Sequence, residues 1–196
     1  MLFILKSLSY SYLISNRLNL YLKLFYIKGG AKLKGEIIKI NEEIKDRLPK
    51  TYEILKNSNL TVHPYVYKVI LTGSRGLRGN YRDNSDIDLS LLVDINNIKP
   101  NENEEDILKD VINITISNWK GKVELDTAAV FDINGCNLKC FNYEIFDEKN
   151  ICGDGIDCIG LYKTQKGFSG YVPKIGIDIK RVYPMITVWE RSDKYS

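Results

Sequence analysis

The chain has 196 residues, of which 44% are hydrophobic and 27% are charged, as in an ordinary globular domain with a sizeable core. These values exclude a largely disordered chain, a collagen and a coiled coil, and no apolar run is long enough to span a membrane. The formal net charge is only +3, which is a weak indication of an acidic partner.

That positive charge is confined to residues 1–32. Five of the 28 basic residues and none of the 25 acidic residues lie there, which leaves 23 basic and 25 acidic residues and a net charge of −2 for the remainder. Proteins that follow a nucleic-acid backbone carry a basic stripe. The remainder has no such stripe, so neither nucleic acid nor a membrane is predicted as a partner.

The composition of residues 1–27 differs from that of the rest of the chain. They contain no Ala, Gly, Val, Asp or Glu, the amino acids whose codons begin with G, and what remains is typical of translated A/T-rich DNA. Residues 28–30 can be encoded by a ribosome-binding sequence, and the codon of Leu33 can be a bacterial start codon. A signal sequence and a basic amphipathic helix are alternatives, but basic residues interrupt the apolar ones. We predict that residues 1–32 are translated upstream sequence, or a disordered or peripheral segment, and that residues 33–196 form one domain.

The first predicted element of that domain is an amphipathic helix. Its apolar residues recur at an approximately helical spacing and are Ile37, Ile38, Ile40, Ile44 and Leu48. Pro49 interrupts the pattern, and one or two further helical turns are predicted over residues 51–56.

Two strands joined by a Gly–Ser turn are predicted next. Residues 67–72 (YKVILT) are apolar and β-branched, as in a buried strand, and Gly-Ser ends the run. Residues 86–93 (DIDLSLLV) alternate at first. Alternation places the side chains of Asp86 and Asp88 on one face and the apolar side chains between them on the core face.

A capped helix and a third strand follow. Asn103 can cap a helix that runs to Trp119, and three acidic residues occupy its positively charged first turn. Apolar residues form one stripe along this helix, and Gly121 can end it. Residues 122–131 (KVELDTAAVF) are predicted as a strand.

The C-terminal third is rich in Gly and aromatic residues and predicts irregular β structure, with candidate strands over residues 174–180 and 185–189. The order strand, turn, strand, helix, strand predicts an α/β (α+β) domain with a mixed β-sheet flanked by helices.

Four cysteines lie in the same third of the chain: Cys136, Cys140, Cys152 and Cys158. None of them forms the CxxC pair that is typical of zinc ribbons, so a zinc site is not favoured. A disulfide framework is not expected in a chain of this size. The prediction is therefore reduced thiols in a cytoplasmic protein.

Three features of the sequence predict one site for an anion and a metal. Gly73 and Ser74 directly follow a strand and are predicted to lead into a short helix, so backbone N–H groups, a hydroxyl and the partial positive charge of a helix start can face an anion. Asp86 and Asp88 share a strand face, which is costly unless a cation neutralises them. Asp126 can join them if the third strand lies beside the second. Three carboxylates suit Mg²⁺ or Mn²⁺, and two such ions could clamp the oxygens of a phosphoryl displacement.

Two assignments in this site remain open on these grounds. Glu124 lies on the same predicted face as Asp126 and competes with it for the third position. Three arginines lie between the Gly–Ser turn and Asp86, and Arg75, the nearest to the turn, is predicted to contact phosphate. The alternative for these arginines is a solvated basic loop.

The combined pattern resembles the nucleotidyltransferase superfamily, which includes DNA polymerase β, aminoglycoside nucleotidyltransferases and minimal stand-alone bacterial nucleotidyltransferases. The pattern is L-T-G-S, then 11 residues, then D-I-D-L-S-L-L-V and a later strand L-D-T-A. The resemblance covers roughly residues 67–131. It implies a nucleotidyltransferase-like fold and an enzyme that transfers an NMP from an NTP to an acceptor hydroxyl and releases pyrophosphate.

The resemblance also implies roles for individual residues. Gly73 and Ser74 would hold the triphosphate of the NTP, and Asp86 and Asp88 would hold the metal ions. Asp126 would complete the site and help to activate the acceptor hydroxyl. It is preferred to the competing glutamate because the sequence around it, L-D-T-A-A-V, matches the strand of the family better.

The acceptor is not predicted beyond a small molecule, a protein or an RNA. The last 65 residues do not resemble the helical acceptor-binding domain of the antibiotic-modifying members, so an aminoglycoside is not expected. The alternative function is a nucleotide-binding regulatory or antitoxin-like module with little or no turnover, which would have a small helical protein as its partner.

Overall fold

The computed structural model describes residues 34–142, 144, 157–176 and 184–192. The predicted segment 1–32, Cys152 and the C-terminal half of the predicted strand 174–180 lie outside the described residues. Within the described part, no helix has both the length and the apolar character needed to cross a membrane.

Three α-helices and eight strands form the regular structure of the described residues. In chain order they are β1 (Glu36–Ile37), α1 (Glu43–Arg47), α2 (Pro49–Lys56), β2 (Thr61–Val62), β3 (Val66–Thr72), β4 (Ile87–Val93), α3 (Glu104–Asn118), β5 (Leu125–Asp132), β6 (Asp157–Lys163), β7 (Gly170–Gly176) and β8 (Ile186–Glu190). Short 3-10 turns lie at Ile95–Asn97 and Lys139–Asn142.

Six of the strands form one mixed sheet in the order β7-β6-β5-β4-β3-β8. Strands β4 and β5 are parallel, and α3 connects them, while every other pair in this sheet is antiparallel. Strands β1 and β2 form a separate antiparallel pair. The prediction of a mixed α+β domain is confirmed at this level, whereas a nucleotidyltransferase-like arrangement stays a prediction.

Side chains that alternate along the strands supply two cores on opposite faces of the sheet. The larger core includes Val69, Leu71, Leu89 and Leu91, and all three helices contribute buried residues to it. The smaller core includes the residues in between, such as Ile70, Leu92 and Val130, packed against residues of the 3-10 turn at 139–142 and their neighbours. The described helices therefore cover one face of the sheet rather than flanking both.

Helix α3 has the predicted cap and apolar stripe but a different ending. Asn103 Oδ1 accepts a hydrogen bond from the backbone N–H of Asp106 at 3.0 Å, and Leu108, Val111, Ile112 and Thr115 are buried. The helix ends at Asn118, so Gly121 does not end it. A side chain at Gly121 would overlap the Trp119 ring, so the glycine makes room for this indole.

The predicted helix over residues 37–48 is wrong in its first half. Ile38 and Ile40 are buried in an extended segment, where their spacing of two is that of a strand. Backbone bonds to distant residues fix this segment, from the Ile38 N–H to Leu60 and from the Asn41 N–H to Val188. Helix α2 begins at Pro49, a position where the missing N–H of proline costs nothing.

In the C-terminal third, the structure adds a strand and moves another. Strand β6 was not predicted, and β7 begins at Gly170, four residues before the predicted start. Strand β8 occupies the predicted position to within one residue. The third predicted strand also starts later than expected, because β5 begins at Leu125.

Candidate metal centre

Three aspartates meet where the parallel strands β4 and β5 begin. The register places Asp88 directly opposite Asp126, and Asp86 immediately precedes β4. Each of the three offers a carboxylate oxygen, and these oxygens lie within 4.8 Å of one another. The structure therefore brings together the three carboxylates that the sequence singled out.

Glu124 does not belong to this cluster. It is exposed and precedes β5, and the described contact is its backbone carbonyl, which accepts a hydrogen bond from the Ile87 N–H at 2.9 Å. Because Glu124 lies outside the strand, the strict alternation that would have aligned it with Asp126 does not apply.

The Gly–Ser turn lies against the same cluster. Strand β3 pairs with β4 on the side away from β5, so that Thr72 is the partner of Asp88. Gly73 has φ +69°, and a Cβ on it would overlap the carboxylate of Asp88. Ser74 is half-buried and opens a series of turns rather than the expected short helix. The turn therefore offers backbone N–H groups without the partial charge of a helix start.

Arg75 binds the loop that leads to Asp86. The residue is only 3% exposed. Its Nε donates to the carbonyl of Ser85 at 2.6 Å, and Nη2 donates to the carbonyls of Asp83 at 2.5 Å and Arg82 at 3.2 Å. These bonds hold the loop that precedes β4 and so fix where Asp86 emerges. A phosphate contact of Arg75 stays a prediction.

Two lysines that the sequence analysis missed pair with the aspartates. Lys163 Nζ lies 2.7 Å from Asp126 Oδ1, and Lys166 Nζ lies 2.6 Å from Asp86 Oδ2. Lys163 ends β6 and Lys166 lies in the turn that follows. Strand β6 was not predicted, so nothing in the sequence placed either lysine near the aspartates.

Gln165 fixes the position of both lysines relative to β5. Its side-chain amide donates to the carbonyl of Leu125 at 2.7 Å, and its amide oxygen accepts from the N–H of Thr127 at 3.0 Å. The side chain thus bonds the backbone on either side of Asp126. The turn between β6 and β7 is held against the start of β5 as a result.

The carboxylates at the centre outnumber the ammonium groups that pair with them. Burial, reinforced by the charges of Asp86 and Asp126, raises the pKa of Asp88 to about 6. The hydrogen bond to Asp86 raises the pKa of Lys166, which therefore stays charged. Three carboxylates against the two ammonium groups leave a net negative charge if all five groups are ionised.

The donor set fits a divalent cation. All three ligands are carboxylates, which Mg²⁺ and Mn²⁺ prefer. The Asp126 side chain is only 7% exposed, and its Oδ1 makes no hydrogen bond of regular geometry within the described part of the chain, despite the nearby Lys163 ammonium. Asp86 and Asp88, both half-buried, leave the centre open on one side.

The described cysteines lie elsewhere in the fold. Cys136, Cys140 and Cys158 form no disulfide with one another, and Cys140 and Cys158 are buried in the smaller core. They act there as small apolar side chains. Among the described residues, the cluster that could hold a metal ion consists of carboxylates.

Comparisons with known proteins add no further assignment to this geometry. No family model, curated protein or solved structure matches the chain. The resemblance to nucleotidyltransferases accordingly depends on the turn and the three aspartates of this sequence, and it stays a prediction.

Proposed function

We propose that the protein is a metal-dependent nucleotidyltransferase, which transfers an NMP from an NTP to a hydroxyl of an acceptor and releases pyrophosphate. The observation that carries the proposal is the meeting of Asp86, Asp88 and Asp126 beside the turn at Gly73. The cluster adds to the sequence motif, since a motif does not by itself bring β5 beside β4.

The centre would act by neutralising charge and by positioning the reactants. Asp86 and Asp88 would hold a divalent cation, with Asp126 beside them, and the cation when bound would supply positive charge to the phosphoryl oxygens. The backbone N–H groups of Gly73 and Ser74 would bind the triphosphate.

The proposed reaction is a displacement at the α-phosphorus. The acceptor oxygen forms a bond to this phosphorus while the bond to the bridging oxygen of the β-phosphate breaks. The proton of the acceptor hydroxyl goes to Asp126, and the electron pair of the broken bond leaves with pyrophosphate. Asp126 suits this role because it is held from both sides by the Gln165 contacts.

Paired labels test this proposal. NTPs labelled at the α-phosphate or at the γ-phosphate are incubated with Mg²⁺, cell extract and the protein. The α-label should become attached to an acceptor and the γ-label should appear in pyrophosphate. Asp86→Asn should lose both signals while keeping its circular dichroism, and the exposed helical variant Asp110→Asn should keep them. Transfer of the γ-label to the acceptor, or full activity of Asp86→Asn, would contradict the proposal.

One observation favours the alternative, a nucleotide-binding regulatory module with little turnover. Lys163 and Lys166 already pair with two of the three carboxylates. The two ammonium groups therefore neutralise part of the negative charge that would attract a metal ion. The same labels separate the two functions, because a regulatory module binds the NTP without releasing pyrophosphate.

A further inference from the structure

We propose that this centre holds a single divalent cation, on Asp86 and Asp88, and that the ammonium of Lys163 stands in place of a second ion beside Asp126. The inference rests on the proposed function for the metal site, but it changes the expected number of ions from two to one. It also assigns a role to a residue outside the sequence motif.

The pairing of Lys163 with Asp126 is enclosed. The Lys163 and Asp126 side chains are 16% and 7% exposed, and their charged atoms lie 2.7 Å apart. The ring of Phe168 lies 5.8 Å from the same ammonium. Lys163 is part of β6, which pairs with β5, so its backbone is fixed by the sheet. An ion that replaced this ammonium would leave a buried lysine without its partner, which is strongly unfavourable.

The pairing of Lys166 with Asp86 is of a different kind. The Lys166 side chain is 58% exposed and belongs to a turn in which Lys166 and Gly167 both have positive φ. An exposed ion pair contributes little to stability, and the released ammonium returns to water. Asp86 is therefore available to a cation, whereas Asp126 is not.

The charges support one ion rather than two. When Lys166 leaves, three carboxylates and the Lys163 ammonium remain, with a net charge of −2. One divalent cation neutralises this charge. Two would leave an excess of positive charge beside a buried ammonium, which disfavours the second ion before any nucleotide is present.

Counting bound Mn²⁺ tests the inference. The electron paramagnetic resonance signal of free Mn²⁺ is followed as the ion is added to the nucleotide-free, full-length chain. The wild type should bind one ion at the centre, Lys163→Met should bind two, and Lys166→Met should bind one about twofold to fivefold more tightly. Mn²⁺ binding to Asp86→Asn measures the adventitious binding to the rest of the chain, and this value is subtracted from the other titrations.

The contradicting outcomes are distinct from one another. Two ions in the wild type, or one in a folded Lys163→Met, would overturn the role of Lys163 and leave the metal centre standing. No binding above that of Asp86→Asn would overturn the centre and the proposed function together. If circular dichroism shows Lys163→Met to be unfolded, Lys163→Gln, which removes the charge but keeps a polar side chain beside Asp126, takes its place and should also bind two ions.

Discussion

Gly73 and Asp88 lie in close contact at the centre. Gly73 adopts φ +69°, which favours glycine, and the place of its missing Cβ is filled by the carboxylate of Asp88. The Asp88 Cβ lies 3.0 Å from that place, so a tight contact would remain even if the carboxylate rotated away. The glycine is therefore required by backbone conformation and by contact.

We expect Gly73→Ala to lower the free energy of unfolding by about 1–3 kcal/mol and to weaken Mn²⁺ binding, because Asp88 must move. Gly79→Ala is the matched control. Gly79 has φ +68° with open space around it, so its variant should lose only about 1 kcal/mol and keep its affinity for Mn²⁺. Urea unfolding and Mn²⁺ titration measure both effects, and equal behaviour of the two variants would contradict this account.

The ionisation of Asp88 makes stability depend on pH when no divalent cation is present. Its pKa is about 6 in the folded protein against an ordinary value of 3.8, because of burial and the charges of Asp86 and Asp126, partly offset by Lys166 and Lys163. The folded state therefore binds the proton more tightly than the unfolded chain. The contribution of Asp88 to the free energy of unfolding falls as pH rises from about 4 to about 6, and then levels off.

Urea unfolding in EDTA tests this prediction by comparison with Asp88→Asn. The variant should exceed the wild type in stability at pH 7 by about 1–2 kcal/mol, a value reduced for the partial exposure of the carboxyl. The difference should shrink towards pH 4. A difference that does not change with pH would show that Asp88 keeps an ordinary pKa.

At the scale of elements, the loop between β3 and β4 depends on Arg75. The guanidinium bonds three carbonyls of that loop, and the hydroxyl of Thr51 in α2 donates to the Arg75 carbonyl at 2.9 Å. The ring of Tyr81 packs 4.7 Å from the guanidinium carbon. Arg75 thus joins helix, turn and loop, and positions Asp86 at the start of β4.

Arg75→Lys should lower the free energy of unfolding by about 2–3 kcal/mol without any nucleotide, because an ammonium cannot reproduce the planar, forked contacts. Arg82→Lys, at an exposed position of the same loop, should change stability by less than about 0.5 kcal/mol. Thermal or urea unfolding measures both. Unchanged stability of Arg75→Lys together with weaker nucleotide binding would instead make Arg75 a phosphate ligand.

The elements that could be predicted are those with a local pattern. Strand β4 alternates Ile87 and Leu89 with the aspartates, and α3 has its cap at Asn103 and its stripe within one window of sequence. Both patterns are complete before any tertiary contact is known, so β4 and α3 were predicted to within one residue at either end. The two aspartates of β4 could be assigned to one face for the same reason.

The elements that could not be predicted depend on distant partners. Ile38 and Ile40 suit a helix or a strand, and backbone bonds to Leu60 and Val188 decide between them. Lys163 and Lys166 have no motif of their own. They reach the centre because β6 pairs with β5, and the sequence of β6 lacks a clear alternation of apolar and polar residues.

For the whole molecule, the parallel pair β4–β5 determines where the three aspartates meet. Helix α3 covers one face of the sheet and returns the chain so that Asp126 lies beside Asp88. Asp88 is on the first of these strands, Asp86 immediately precedes that strand, and Asp126 is on the second. The three aspartates therefore come together only because the connection through α3 places β5 beside β4 in the folded sheet.

The most direct test of the metal centre is a crystal structure with Mn²⁺ and a non-hydrolysable NTP, read by the anomalous scattering of manganese. We expect manganese bonded to Asp86 and Asp88, the triphosphate on the N–H groups of Gly73 and Ser74, and Lys166 released from Asp86. A nucleotide bound elsewhere, with no manganese at the aspartates and Lys166 still paired with Asp86, would show that these aspartates do not form a metal centre.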